Sequence, residues 1–360
     1  MKENISKNVL NRSLKVFFRD ALRITALNPL QAFSFLRTLF WLKKAAKIRS
    51  LWKKEQNLHV PPIIIFSITN QCNLQCKGCY NQSFHQATGK ELSDEKLRDI
   101  TREAKELGVS FFVLAGGEPF MRPVILNIMK DYSEIIFLVF TNGLLIDETM
   151  IKQFKKQKNV VPLISLEGNE EETDERRGKG TYSRLIQTMQ KMKKEKVFFG
   201  LSLTLTQQNF STITNFQFTK NSVDFGCKFF LYLEYTPIQP GTENWVLTEG
   251  QRSEFLKRIY SYRAQFPALF IGVPWDEDDV GGCLSAGRGF IHINAAGDVE
   301  PCPFAPFTDA NLKQTTLKDA LQSKFLETIR AIPELSRETG GGCVLWKKRE
   351  LVQTLLDQNL

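Results

Sequence analysis

Three cysteines, Cys72, Cys76 and Cys79, lie in one short loop, and Tyr80 directly follows the third. Three thiolates this close can bind three irons of a cubic four-iron cluster and leave the fourth iron open to a ligand. An electron-transfer ferredoxin needs a fourth cysteine at short spacing, and a structural zinc site needs four protein ligands. His85 is the only local candidate for that ligand. The loop therefore favours a cluster with an open iron, and leaves a zinc site or a simple electron carrier as alternatives.

The elements that must position this loop form a repeating pattern. A continuous apolar run at 62–68 leads into the loop, and similar runs follow at 111–115, 135–140, 160–166, 197–204 and 229–235. Helical patterns lie between them, at 93–107, 124–131, 147–156, 182–194 and near 213–222. Such alternation predicts an α/β fold with right-handed parallel crossovers. Six units are too few for an eight-fold barrel, so we expect a partial (βα)6 TIM-type barrel with ligands at the carboxyl ends of its strands.

Polar and glycine-containing segments follow these strands at that end. Gly116, Gly117, Glu118 and Pro119 follow the second strand, Thr141, Asn142 and Gly143 end the third, and Ser165, Leu166, Glu167 and Gly168 end the fourth. Glycines let a ligand approach the backbone closely. Alone, the segment at 116–119 is typical of an ordinary strand-to-helix turn. The order of all these segments beside the cysteine loop is more specific than any one of them.

With the cysteine loop, these segments resemble the radical SAM superfamily over about residues 60–240. They are similar to its GGEP, TNG and S-[IL]-D-G motifs, and residues 174–180 are similar to its D-x-x-R-G-x-G segment. The resemblance implies that Glu118 receives the amino group of SAM and that Arg177 pairs with its carboxylate. Arg176, beside it, is expected to be a solvated side chain. The implied SAM site consists of Tyr80, Gly116, Gly117, Glu118, Pro119, Thr141, Asn142, Ser165, Glu167 and Arg177.

The chain departs from the family pattern at one of these positions. Glu167 stands where the family usually has Asp. Its longer side chain either reaches the ribose by another route or faces the substrate. Glu234 and Tyr235, at the end of the sixth strand, are further candidates for the substrate side.

A second group of cysteines lies beyond the barrel. Cys283, Cys302 and Cys343, with a hairpin pattern at 291–300, resemble a shortened SPASM or Twitch domain, which carries auxiliary iron-sulfur clusters. The resemblance implies one auxiliary 4Fe-4S cluster. Three unrelated buried thiols or a zinc site are the alternatives. Cys227 is interpreted as a small buried apolar residue.

The first 55 residues carry the excess charge of the chain. They hold 13 Lys or Arg and 3 Asp or Glu, a net +10, so the remainder of the +9 chain is close to neutral at −1. Helical stripes at 10–22 and from Asn28–Pro29 onward, with Trp41 and Trp52, suit peripheral contact with an anionic membrane. Packing on the barrel is the alternative. Nucleic acid fits least, because no known reading module follows and the barrel is not basic.

The sequence thus predicts a basic helical leader at 1–58, a radical SAM barrel at 59–240 and a small C-terminal α+β iron-sulfur domain at 241–360. The implied activity is reductive cleavage of SAM at a 4Fe-4S cluster to a 5′-deoxyadenosyl radical, which abstracts hydrogen from a membrane-held small molecule or a peptide. An external donor of flavodoxin or ferredoxin type would supply the electron. The odd cysteine count favours a reducing, cytoplasmic location. The alternative is an iron-sulfur electron carrier without SAM cleavage.

Overall fold

The computed structural model describes residues 29–84, 90–278, 281–337 and 343–359. The predicted helix at 10–22, His85 and the glycines at 340–342 lie outside the described residues. Within the described part, the chain forms one nine-stranded sheet that remains open at both edges, with helices packed against it.

The six predicted strands are all present and all parallel. They are β1 (Ile63–Thr69), β2 (Phe111–Gly116), β3 (Ile136–Thr141), β4 (Val160–Leu166), β5 (Gly200–Leu205) and β6 (Phe229–Glu234). They lie side by side in chain order, which confirms the partial barrel. A seventh parallel strand, β7 (Leu269–Val273), pairs with β6 and was not predicted. This strand has only five residues and begins soon after a helix, so its apolar run is too short to be recognised as a strand from the sequence.

Helices connect the strands as expected. In chain order they are α1 (Pro29–Gln56), α2 (Tyr80–Phe84), α3 (Asp94–Leu107), α4 (Val124–Asp131), α5 (Glu148–Lys156), α6 (Glu170–Arg177), α7 (Thr181–Lys194), α8 (Phe210–Ile213), α9 (Phe216–Phe225), α10 (Glu249–Gln265), α11 (Trp275–Asp278), α12 (Leu317–Ala320), α13 (Lys324–Ala331), α14 (Val344–Lys347) and α15 (Arg349–Asp357). A 3₁₀ turn, Pro119–Met121, follows β2. Helices α12 and α13 are separate because Ser323 caps the second of them: its hydroxyl accepts from the Leu326 N–H at 2.9 Å.

The predicted hairpin at 291–300 exists, but it belongs to the barrel sheet. It consists of β8 (Phe290–Ile293) and β9 (Val299–Glu300), which pair antiparallel. Strand β8 also pairs parallel with β1. The segment that carries Cys302 therefore lies next to the strand that delivers the first cysteine loop.

Helix α1 packs on the barrel through one face. Trp41 and Ala45 are buried, Arg49 donates to the Ser110 hydroxyl at 3.0 Å, and Lys318 lies over the Trp52 ring at 4.8 Å. The prediction that Trp41 lies at a membrane interface is therefore wrong, because Trp41 faces the protein interior. Trp52 is half-buried. Among the described helices, none combines the length and the apolar character that a membrane crossing requires.

Candidate active site

The first cysteine loop is fixed by the backbone and side chains around it. The Lys77 N–H donates to the Arg176 carbonyl at 2.9 Å, and the Gly78 N–H donates to Gln239 Oε1 at 2.9 Å. A Cβ on Gly78 would meet the Tyr235 hydroxyl at 2.6 Å, and its φ of +67° also favours glycine. The loop is thus held from α6 on one side and from the segment after β6 on the other.

The loop presents three unpaired thiols of different exposure. Cys72 is exposed, whereas Cys76 and Cys79 are half-buried, and none of the chain's seven cysteines forms a disulfide. Partial burial of its thiol raises the pKa of Cys72, and the charges of Cys76 and Cys79 raise it further. In the residues that the structure describes, no three His, Cys, Asp or Glu side chains converge enough to hold a single metal ion. Three thiols on one loop are nevertheless the donor type that iron-sulfur clusters take.

Gly116 and Gly117 permit a close approach between two stretches of backbone. A Cβ on Gly117 would lie 2.0 Å from the Gln71 carbonyl oxygen, and one on Gly116 would lie 2.4 Å from that of Thr69. The Glu118 N–H donates to the Gln71 carbonyl at 2.8 Å. The structure therefore gives these glycines a packing role that was not predicted: they seat the turn after β2 against the start of the cysteine loop.

This packing gives a prediction for stability. Gly117→Ala should destabilise the protein by ~1–3 kcal/mol or more, because the added methyl group meets backbone that cannot rotate away. Gly250→Ala in α10 is the matched control: its Cβ would have no neighbour closer than 3.9 Å, and a gain of about 0.5–1 kcal/mol is expected. Urea unfolding of the two variants measures both values. Equal stabilities would show that the turn can move to accept a side chain.

Glu118 connects the second and third strands to the cysteine loop. Its Oε1 accepts from the Thr141 hydroxyl at 2.8 Å, and its Oε2 accepts from the Asn142 N–H at 2.7 Å. Asn142 in turn donates to Asn73 Oδ1 at 2.7 Å and lies 3.8 Å from Cys72 Sγ. Burial raises the pKa of Glu118, and these hydrogen bonds oppose that shift. The motif residues predicted to share a site are therefore in contact. Pro119 begins the adjoining 3₁₀ turn, which Glu118 caps.

Glu167 binds two arginines. Its Oε2 lies 2.5 Å from Arg176 Nη1, and its Oε1 accepts from Arg177 Nε at 2.9 Å and Nη2 at 2.5 Å. Burial alone would raise the pKa of Glu167, but the charges of Arg176 and Arg177 hold it below the usual value. The expectation that Arg176 is solvated is wrong, because Glu167 and the Lys77 carbonyl both hold it.

Arg177 also approaches the cysteine loop. Its Nη1 lies 4.0 Å from Cys76 Sγ, and its positive charge opposes the rise that burial causes in the pKa of Cys76. Ser165 lies half-buried near the end of β4, in register with Ser202 of β5. The fourth strand thus supplies a buried carboxylate that orients an arginine toward Cys76.

Tyr80 lies between the two cysteine groups. Its ring packs edge-on against Phe304 at 5.5 Å. Burial raises its pKa, and so do the charges of Cys79 and Cys302, while hydrogen bonds to the Ser67 side chain and the Gly116 backbone oppose the rise. A buried hydrogen-bonded chain continues from Ser67 Oγ to His292 Nε2 at 2.8 Å, and from His292 Nδ1 to Glu300 Oε2 at 2.6 Å. This chain could not be predicted from the sequence, because Ser67 lies 225 residues from His292.

The second group of cysteines also comes together. Cys302 and Cys343 hydrogen-bond to each other, which raises the pKa of Cys302 and lowers that of Cys343. Burial raises the pKa of Cys283, and the charge of Cys343 adds to that rise. Cys227 is buried, which raises its pKa to about 12. It precedes β6, so it lies at the amino ends of the strands, away from the first loop.

The structure gives other roles to the two residues expected on the substrate side. Glu234 is buried and forms an ion pair with Arg252 of α10, whose Nε donates to Oε1 at 2.8 Å. The Tyr235 hydroxyl donates to Thr242 Oγ1 at 3.0 Å, and its ring lies 5.1 Å from that of Trp245, against Gly78. Tyr235 therefore supports the cysteine loop.

Comparison with known proteins agrees with this arrangement. Residues 66–216 match the family model of the Radical SAM superfamily. An Fe-coproporphyrin III synthase of Methanosarcina barkeri is 30% identical over 158 residues, which cover 41% of this chain and 38% of that relative. An AdoMet-dependent heme synthase of the same organism is 23% identical over 312 residues, which cover 78% of this chain and 88% of that protein.

A solved structure shows the same fold. Streptococcus suis SuiB bound to its precursor peptide SuiA superimposes with a TM-score of 0.64 at 18% identity, over 80% of this chain and 71% of SuiB. Radical SAM proteins hold a 4Fe-4S cluster and SAM, and the three thiols of the first loop suit that cluster. The cysteine loop, the strand-end motifs and the family match coincide, and the chain therefore carries a radical SAM domain at residues 66–216.

Proposed function

We propose that the chain reductively cleaves SAM and uses the product to abstract hydrogen from a substrate held at the carboxyl ends of the strands. The observation that supports this most is the contact between three motifs: Glu118 accepts from Thr141 and Asn142, and Asn142 reaches Cys72. When bound, a 4Fe-4S cluster and SAM together supply a 5′-deoxyadenosyl radical. Cys72, Cys76 and Cys79 would hold that cluster.

The protein's own residues would bind and orient SAM. Apart from Glu167, the proposed SAM contacts are the residues of the SAM site that the resemblance implies. Arg177 would face the SAM carboxylate, because its Nη1 lies 4.0 Å from Cys76 Sγ. Glu167 would position Arg177 and Arg176 instead of contacting the ribose, because its two oxygens are occupied by these arginines. Its extra methylene relative to Asp extends the carboxylate toward α6.

Cys283, Cys302 and Cys343 would hold one auxiliary 4Fe-4S cluster in a C-terminal unit at 241–360. The hydrogen bond between Cys302 and Cys343 and the electrostatic effect of Cys343 on Cys283 support this grouping. An external flavodoxin- or ferredoxin-type donor would reduce the clusters, in a reducing cytoplasm. The basic leader would make peripheral contact with anionic membrane.

The test is formation of 5′-deoxyadenosine from SAM by the reconstituted, dithionite-reduced protein. Slow cleavage without substrate is expected, since the cluster and SAM suffice for it. An intact cluster that yields no 5′-deoxyadenosine would favour the electron-carrier alternative. A zinc protein would show neither the cluster spectrum nor the cleavage.

The same assay separates substrate classes. The names of the relatives suggest two kinds of probe: an iron tetrapyrrole, from the heme synthase, and a precursor peptide, from SuiB. A true substrate should accelerate SAM cleavage and acquire a mass change, whereas a probe that merely binds should do neither. An isoprenoid-linked molecule in vesicles tests the membrane-held class.

A further inference from the structure

Helix α1 has an outer face that differs from the face packed on the barrel. Trp41 and Ala45 point inward and are buried, whereas Phe40 and Leu51 are 73% and 44% exposed. Among the large apolar side chains that the structure describes, Phe40 is the most exposed. Exposing so large an apolar side chain beside a buried tryptophan calls for an explanation.

The exposed apolar residues are aligned with lysines. Phe40, Lys44, Lys47, Leu51 and Lys54 fall at intervals of four, three, four and three residues. At 3.6 residues per turn, they lie within an arc of about 80° on one side of the helix. Lys44, Lys47 and Lys54 are exposed and form no ion pair within the ranges that the structure describes. We call this stripe the outer face of α1.

The charge of the helix is local. Pro29–Gln56 contains seven Lys or Arg and one Glu, a net +6, while the chain from residue 56 onward has a net charge of −1. Arg37 and Arg49 are turned to the barrel, where they donate to the Ser133 carbonyl and the Ser110 hydroxyl. The lysines of the outer face are therefore available to an anionic partner.

The arrangement fits a bilayer better than an acidic protein. Phe40 and Leu51 lie three turns apart, about 16 Å along the axis, with two lysines between them and a third beyond Leu51 in the same line. A helix that lies in the plane of an interface inserts such apolar side chains while its lysines extend to the lipid phosphates. A protein interface would instead concentrate its apolar residues at the centre of a patch.

We propose that the outer face of α1 docks the protein on an anionic bilayer surface. This proposal names the surface that would make the membrane contact given under the proposed function. It rests on that function only for the reason why the protein would bind a membrane. Helix α1 contacts Ser110 and Ser133, which precede β2 and β3, whereas the cysteine loop follows the carboxyl end of β1. Six residues of strand separate these ends by about 20 Å. Docking therefore leaves the mouth of the site open to water.

The test is co-sedimentation of the full chain with vesicles at low salt. Phosphatidylcholine vesicles with phosphatidylglycerol should bind the protein, and phosphatidylcholine alone should bind it weakly. Phe40→Glu/Leu51→Glu should lose binding. Lys44→Gln/Lys47→Gln/Lys54→Gln should weaken it on the order of 100-fold at low salt, and less as salt screens the lysines. Leu351→Glu, at a comparably exposed leucine of α15, is the control that should bind normally.

The outcomes are separable from those of the proposed function. Each variant is also assayed for 5′-deoxyadenosine formation without vesicles, and all should cleave SAM as the unaltered chain does. Full vesicle binding by Phe40→Glu/Leu51→Glu would overturn the proposal. So would lysine-dependent binding to an acidic ferredoxin with no binding to vesicles, which would assign the face to a protein. Failure of SAM cleavage in every sample, with vesicle binding intact, would concern only the catalytic assignment.

Discussion

Anaerobic reconstitution is expected to load about eight irons per chain, four at each group of three cysteines. Changing Cys72, Cys76 and Cys79 together to Ala should leave about four irons and abolish SAM cleavage. The reason is that the two groups are separate. The first thiols lie on one loop after β1, whereas in the second group Cys302 and Cys343 hydrogen-bond to each other and Cys343 acts electrostatically on Cys283. Iron analysis with electron paramagnetic resonance of the reduced samples measures this.

Two further variants make the result specific. Changing Cys283, Cys302 and Cys343 to Ala should also leave about four irons, but these should support SAM cleavage. Cys227→Ala should retain about eight, because Cys227 is buried before β6. If the unaltered chain holds only four irons, the prediction of an auxiliary cluster is wrong. If either triple variant holds none, the two sites do not load independently.

The barrel could be predicted because its signals are local. Each strand is a short apolar run, and the turn residues that follow it are adjacent in sequence, so Gly116, Thr141 and Ser165 could be placed at one end of the sheet. The helix at Asp94–Leu107 was equally readable, since Ser93 caps it and Gly108 ends it with a φ of +90°. These features depend on neighbours along the chain.

The rest depends on contacts between distant residues. Periodicity predicts apolar positions on α1, but it does not predict whether Trp41 contacts lipid or the barrel. Nor does spacing show that β8 pairs with β1, which brings His292 to Ser67. The pairing of Glu167 with Arg176 required knowing that α6 folds back over the end of β4. In each case the partner is selected by tertiary packing.

Arg177 and Arg176 provide the second large expected effect. Both arginines bind Glu167, but only Arg177 approaches a cysteine, with Nη1 at 4.0 Å from Cys76 Sγ. Arg177→Gln should therefore weaken SAM binding roughly 10- to 150-fold, the loss expected when a charge-assisted hydrogen bond worth ~1.5–3 kcal/mol is removed. Equilibrium binding of SAM to the reconstituted protein measures the change.

Arg176→Gln is the control, because Arg176 is the other arginine that binds the Glu167 carboxylate. Each single variant leaves Glu167 one arginine, so the two variants should lose similar stability in urea unfolding.

The stability that these ion pairs contribute should also decrease in acid for the unaltered chain. The pKa of Glu167 lies below its usual value, so its ion pairs contribute fully above about pH 4.5 and are lost as the pH falls further.

Unlike stability, SAM affinity should fall in Arg177→Gln and not in Arg176→Gln. An equal fall in both variants would mean that Arg177 acts only by packing α6 against β4, and the SAM carboxylate would then need another partner.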